Sequence, residues 1–199
     1  MSSRLLSRRD VDFLLFEWLD AGSLTARPRG AGLDASAGGI QLPHVVAAAC
    51  MAWFYAANVS TSAYLMLTIS AANLLLAHGD AGQVDRYVRA MADGRFLGTM
   101  CLSEPQAGSL ADVATRAEPQ PDGLFRIFGT KMWISGGDHE LSENIVHLVL
   151  GRIAGSPPGS RGLSLFIVPK WLVAAKAGTG QRHAVPGGAR SRGSRLDVA

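Results

Sequence analysis

Gly98-Thr-Met-Cys-Leu-Ser-Glu-Pro-Gln-Ala-Gly-Ser109 and, further along, Gly129-Thr-Lys-Met-Trp-Ile-Ser-Gly-Gly137 are the two stretches on which the fold turns. The first starts as a β-rich run, Phe96–Leu102, and breaks into a loop. A loop that ends a strand exposes backbone N–H groups. Gly108, with no Cβ, lets a ligand approach that backbone, and Ser103 and Ser109 bring hydroxyls that donate or accept. An ordinary Pro-Gly loop has the same composition. In the second stretch, strand alternation puts Met132 and Ile134 on one face, and Lys131, Trp133 and Ser135 on the other. An indole and a hydroxyl on one face suit a planar polar ligand. A core Trp beside a strand Ser fits the same pattern.

Outward from these stretches the chain divides in two. After Phe96 the segments are short, β-rich and punctuated by Gly and Pro. Strands are expected at Phe96–Leu102, Asp112–Ala117, Leu124–Phe128, Lys131–Ser135, Ile145–Leu150 and Gly162–Val168, with a turn at Pro121-Asp-Gly123. Their spacing predicts a mostly antiparallel sheet or barrel over 95–173. Before Gly94 the chain reads as helical. Residues 80–93 predict an amphipathic helix with Val84, Tyr87, Val88 and Met91 inward, stopped by Gly94. From Ala35 to Gly79 there is no Lys, Arg, Asp or Glu. Two helices fit there, Pro43–Ala57 and Thr61–Ala77. They read either as buried helices of a soluble domain or, from Val45 to Ala77, as a membrane hairpin. The first is shorter than the roughly 20 residues a span requires, and Asn58, Ser60, Thr61, Ser62 and Asn73 interrupt the apolarity, so the soluble reading is preferred.

The remaining segments are a short N-terminal extension helix within 1–21 (Phe13, Phe16 and Leu19 on one face), a Gly-rich linker at 22–39, a helical remnant at 40–94, and a disordered tail at 174–199. The fold class is therefore α+β. The 199 residues carry 19 basic and 16 acidic side chains, a net charge of +3. Much of the excess sits in the terminal arginines, without interleaved aromatics, which argues against a nucleic-acid partner. The two cysteines, Cys50 and Cys101, give neither a disulfide framework nor a metal-ligand spacing and fit a reducing compartment, and the segment Met1–Arg9 does not read as a secretory signal. Asp138, His139, Glu140 and Glu143 cluster, but around Gly136-Gly137 they read as an exposed turn rather than a metal or acid–base site. There is no Rossmann fingerprint and no P-loop.

Taken together, in this order, Ser103–Ser109 and Gly129–Ser135 resemble the flavin-binding segment of the acyl-CoA dehydrogenases, and the likeness extends from about Gln41 to Val173. It implies a helical domain, then a middle β domain, then a C-terminal helical domain. It also implies FAD as cofactor, an acyl-CoA thioester as substrate, an electron-transferring flavoprotein as acceptor, and a homo-oligomer in full-length members. By position, Met100, Cys101, Leu102 and Ser103 with Gly108 and Ser109 would line the flavin and its pyrophosphate, and Ser109 would also touch CoA. Trp133 would pack on the ring, with Ser135 near N5 and Ile134 in the same cofactor-binding stretch. A bacterial, cytoplasmic enzyme is implied.

The sequence departs from the family in three places. The linker at 22–39 stands where a longer helical stretch is expected. Gly108-Ser109-Leu110 is one residue tighter. The likeness ends near Val173, and the tail resembles a reading-frame slip. No Glu here matches the family's catalytic base, so none is assigned, and the expectation is a truncated, inactive dehydrogenase. The rival is a non-enzymatic interaction module without flavin.

Overall fold

A computed structural model describes residues 32–173 and the strand Arg195–Val198. The extension helix expected within 1–21, and the linker up to residue 31, lie outside the described residues.

Two units divide the chain: one ends at Gly98 and includes Glu140–Glu143, the other holds Thr99–His139 and everything from Asn144 onward. The first is helical. Helix α1 is His44–Ala57 and α2 is Val59–His78. Asn58 separates them, and its side chain caps α2 by accepting from the Thr61 N–H at 2.9 Å. A third helix, α3, spans 81–92 with a π-helical turn at Val84–Val88 in its middle. A capping box opens it. The Gln83 N–H donates to Asp80 Oδ1 (2.9 Å), and the Asp80 N–H to Gln83 Oε1 (3.0 Å). Gly94, at φ 74°, ends it as expected.

Helix α2 buries one row, Ser62, Leu65, Thr68, Ala71, Ala72 and Leu75, at the three- and four-residue steps of a helix face. The buried residues of α3 include Tyr87, Val88 and Met91. Part of the expected linker is packed too, since Leu33 and Ala37 are buried. No residue of helix α1 is fully buried, although Ala47, Met51 and Phe54 are partly covered, and Trp53 on it is 80% exposed. By length and composition alone, α2 could cross a membrane.

Strand β1, Phe96–Cys101, follows α3. At its start the Gly98 N–H donates to the Thr68 hydroxyl at 3.0 Å. The helix comes so near that a Cβ on Gly98 would sit 2.7 Å from Ala71 Cβ. Gly98→Ala is therefore expected to cost about 1–3 kcal/mol of stability through overpacking, read as a lowered urea midpoint at unchanged m-value.

The second unit is built on a mixed sheet of β1, β2 (Arg116–Pro119), β3 (Phe125–Lys131), β4 (Asn144–Ile153), β5 (Leu163–Pro169) and β6 (Arg195–Val198). The order is β1-β4-β2-β3-β6, with β5 also on β4. Antiparallel pairing dominates, at β2–β3 and along β4–β5 from Val146↔Pro169 to Arg152↔Leu163. The pairs β2–β4 and β3–β6 are parallel. The β2–β3 hairpin turns at the expected Pro121-Asp-Gly123, where Asp122 Oδ1 accepts from the Leu124 N–H and Gly123 has φ 78°. Strand β4 is central because Ile145, Val146, Leu148 and Val149 bury both of its faces. Cys101, Ala117, Ile127, Val149, Phe166 and Val168 form the core of this unit.

Three expectations change. The strand expected at Asp112–Ala117 begins only at Arg116, as β2, after a 3-10 turn at Leu110–Asp112. Lys131–Ser135 is not a separate strand. The strand is Phe125–Lys131, and the chain then bends at Trp133, whose φ is 60°. Within the tail expected to be disordered, Arg195–Val198 is a strand paired with β3 from Phe128↔Arg195 to Lys131↔Val198, because β3 leaves an edge that backbone donors and acceptors can extend. The rest of the tail lies outside the described residues.

Candidate functional site

The two motifs meet in the sheet unit. Strand β1 ends at Cys101, and the loop after it runs beside the loop after β3. The Met132 N–H donates to the Ser103 carbonyl at 3.1 Å, and the Thr99 hydroxyl donates to the Ser135 carbonyl at 2.7 Å. Two side-chain-bearing ribbons are thus joined at both ends.

Alternation sets what each residue shows. Cys101 points into the core and is fully buried, while Met100 is half-buried and Leu102 exposed. Only the backbone of Cys101 is left to meet a ligand. Burial, partly offset by the Lys131 charge, pushes its thiol up to about 12, which keeps it protonated and unreactive. Cys50 on α1 is exposed. Iodoacetamide is accordingly expected to label one thiol per native chain and two after denaturation, counted by intact mass.

Ser103 and Ser109 are exposed. The Ser109 hydroxyl caps the 3-10 turn Leu110–Asp112 by accepting from the Ala111 N–H at 3.1 Å, and its own proton remains available to donate. A Cβ built on Gly108 meets nothing within 4 Å, so packing within the described chain does not demand a glycine there. Arg152 ties this turn down. It donates to the carbonyls of Val113 (2.9 Å), Ala111 (2.7 Å) and Gly159 (2.7 Å).

In the second loop Ile134 packs against the core cluster, while Trp133 and Ser135 face solvent. Trp133 and Ser135 therefore share an outward direction, as expected, although the backbone is not a strand, whereas Lys131, expected on the same face, is fully buried. Trp133 is 82% exposed at φ 60°, an uncommon conformation for a residue with a Cβ. The turn closes with the Gly137 N–H on the Ile134 carbonyl (3.1 Å), and Gly136 takes the positive φ of 64° that it requires. His147 of β4 holds the turn from below, its ring nitrogens 2.7 Å from the Gly137 carbonyl and 2.9 Å from that of Val168.

Sequence reasoning missed the pair that joins the loops. Lys131 Nζ lies 2.7 Å from Glu104 Oε1, and both side chains are 0% exposed. Glu104 also accepts from the N–H groups of Ala114 (2.7 Å) and Thr115 (3.0 Å). Burial pushes its carboxyl up, but the bonds from Lys131, Thr115 and Ala114 prevail and hold it below the usual carboxylate range. The available signal was one acid in the first motif and one base in the second, each in otherwise uncharged surroundings.

Among the described residues no group of three or more His, Cys, Asp and Glu could hold an ion. Asp138 pairs with Lys170 at 2.6 Å and Glu143 with Arg95 at 3.7 Å.

No family model matches the sequence. The chain is 47% identical over 147 residues to 3-methylmercaptopropionyl-CoA dehydrogenase of Ruegeria pomeroyi, covering 73% of this chain and 25% of that protein. It is 34% identical over 166 residues to a broad-specificity linear acyl-CoA dehydrogenase of Mycobacterium tuberculosis, with 77% and 25% covered. An acyl-CoA dehydrogenase of Bacillus anthracis, solved with FAD, superimposes with a TM-score of 0.61 at 25% identity, covering 81% of this chain and 26% of that one. The chain thus spans about a quarter of the length of these relatives. Aligned identity at this level, over a fold that superimposes and loops that meet as described, places the chain in the acyl-CoA dehydrogenase family.

Proposed function

We propose that this chain carries the flavin-facing part of a FAD-dependent acyl-CoA dehydrogenase site. The observation that carries this reading is Trp133, an indole standing 82% exposed on a bent backbone beside exposed hydroxyls. Exposing so large an apolar ring goes against burial, and a planar ligand stacked on it removes that cost. The open space at Gly108 and the free proton of Ser109 suit a pyrophosphate, so the residues present fit the cofactor. When bound, FAD would accept a hydride from the β-carbon of an acyl-CoA thioester as the α-proton leaves to a base. Trp133 would cover the ring and exclude water from it. Ser135 would offer its hydroxyl and backbone to the ring's edge. Ser103, Gly108 and Ser109 would hold the pyrophosphate, and Ser109 would reach the CoA portion. Electrons would pass on to an electron-transferring flavoprotein.

Proton abstraction is the part this chain does not supply from these loops. Glu104 is held by Lys131, and Asp138 by Lys170. A general base is worth roughly 10²–10⁴-fold, so these loops alone would bind flavin with little turnover.

The test is an absorbance spectrum of the soluble chain after incubation with excess FAD and desalting. A retained, structured flavin band, little bleached by acyl-CoA, is the expected result. A soluble chain with no flavin would overturn the reading and favour an interaction module. The exposed α1, with Trp53 at its surface, is what supports that second reading.

A further inference from the structure

The flavin reading gives the buried pair Glu104–Lys131 no task. Stability alone is a poor account of it, because apolar side chains of similar volume generally hold a closed core as well as a buried ion pair does. What apolar side chains lack is direction. Lys131 Nζ donates to Glu104 Oε1 and also to the Leu102 carbonyl at 3.1 Å. The Glu104 carboxylate takes Ala114, Thr115 and, at 3.3 Å, Gln106 Nε2 as well. Charge-assisted bonds of this kind fix angle as well as distance. Their place in the chain is telling. Glu104 adjoins Ser103, and Lys131 is the last residue of β3, two before Trp133. The Met132–Ser103 backbone bond lies beside them.

We propose that Glu104 and Lys131 are positioning residues, whose pair sets the register of the Ser103 loop against the Trp133 loop and so presents Trp133 to the flavin. The ligand's identity rests on the flavin reading above, whereas the registration is a property of the chain itself.

The test is Glu104→Gln/Lys131→Met in the full chain, with two readouts beside thermal unfolding: amide exchange at Met132, with Val149 as control, and the FAD dissociation constant. The expected result is a cooperatively folded variant with unchanged Val149 exchange. In it, Met132 exchanges at least about tenfold faster and FAD binds at least about tenfold more weakly. Unchanged Met132 exchange in the folded variant overturns the proposal. Faster exchange with unchanged FAD affinity overturns its link to the flavin. If the wild-type chain retains no FAD, the flavin reading fails by itself, and the exchange arm still decides the registration. If the double variant does not fold, Glu104→Asp, which keeps the charge and shortens the reach, is judged by the same readouts.

Discussion

Lys131→Met, made alone, is expected to destabilise the chain by about 3–5 kcal/mol, the usual result of stripping one partner from a buried ion pair. Methionine fills nearly the same space, so lost packing is not the cause. The cost comes from the Glu104 carboxylate, which stays inside the sheet unit with backbone N–H groups but no cation. Against a typical domain stability of about 5–15 kcal/mol, such a change brings the chain near its unfolding threshold. Denaturant unfolding at pH 7 measures it. A loss below about 1 kcal/mol would show that the pair contributes little.

The pH dependence of this variant is diagnostic. In the wild-type chain the Glu104 carboxyl titrates below its ordinary 4.5. Its contribution is therefore fully present above about pH 4.5 and is lost as pH falls through the lowered folded value. Without Lys131, burial is opposed only by neutral donors, and the folded carboxyl is expected to rise from its wild-type position. Wild type therefore keeps a carboxylate contribution that the variant lacks, and that difference is lost as pH falls through the two folded values. The gap between the two proteins should narrow steadily on acidification. A gap independent of pH would mean that Glu104 is not the origin of the loss.

What the sequence revealed and what it hid follow from the range of the forces involved. Helix α3 was legible because its signals are local: Asp80 and Gln83 close a capping box within one turn, and Gly94 stops the helix. Strand β4 was legible because a run buried on both faces is apolar throughout. The parallel contacts β2–β4 and β3–β6 were not, since register between distant segments leaves no mark in either one. Lys131-Met-Trp-Ile-Ser135 shows how alternation misleads. Ile134 does go in, with Trp133 and Ser135 out, but Lys131, of the same parity as Trp133, is buried against Glu104. Yet the backbone bends at Trp133, alongside the bonds that Met132 and Ser135 make to residues some thirty positions earlier. Period-2 patterning sorts Trp133, Ile134 and Ser135, fails at Lys131, whose ion pair holds it inside, and does not require the strand to continue.

Trp133→Gly is expected to separate binding from stability. Three terms act on the fold. The left-handed φ of 60° costs a residue with a Cβ about 1–2 kcal/mol, and glycine removes that. Glycine adds back about 0.5–1 kcal/mol of unfolded-chain entropy. At 82% exposure, the indole has little burial to lose. The terms nearly cancel, so stability should shift by no more than about 1 kcal/mol. Flavin capture should respond differently. An aromatic platform under a planar ring is worth about 1–3 kcal/mol, which is roughly a 5- to 150-fold loss of FAD affinity. Trp133→Phe, keeping a smaller ring at the same strained position, should fall between the two. Titration of each folded variant with FAD, beside its unfolding curve, gives both quantities. A folded glycine variant that binds FAD as tightly as the wild-type chain would remove Trp133 from the site. The exposed ring would then stand as evidence for the interaction-module reading instead.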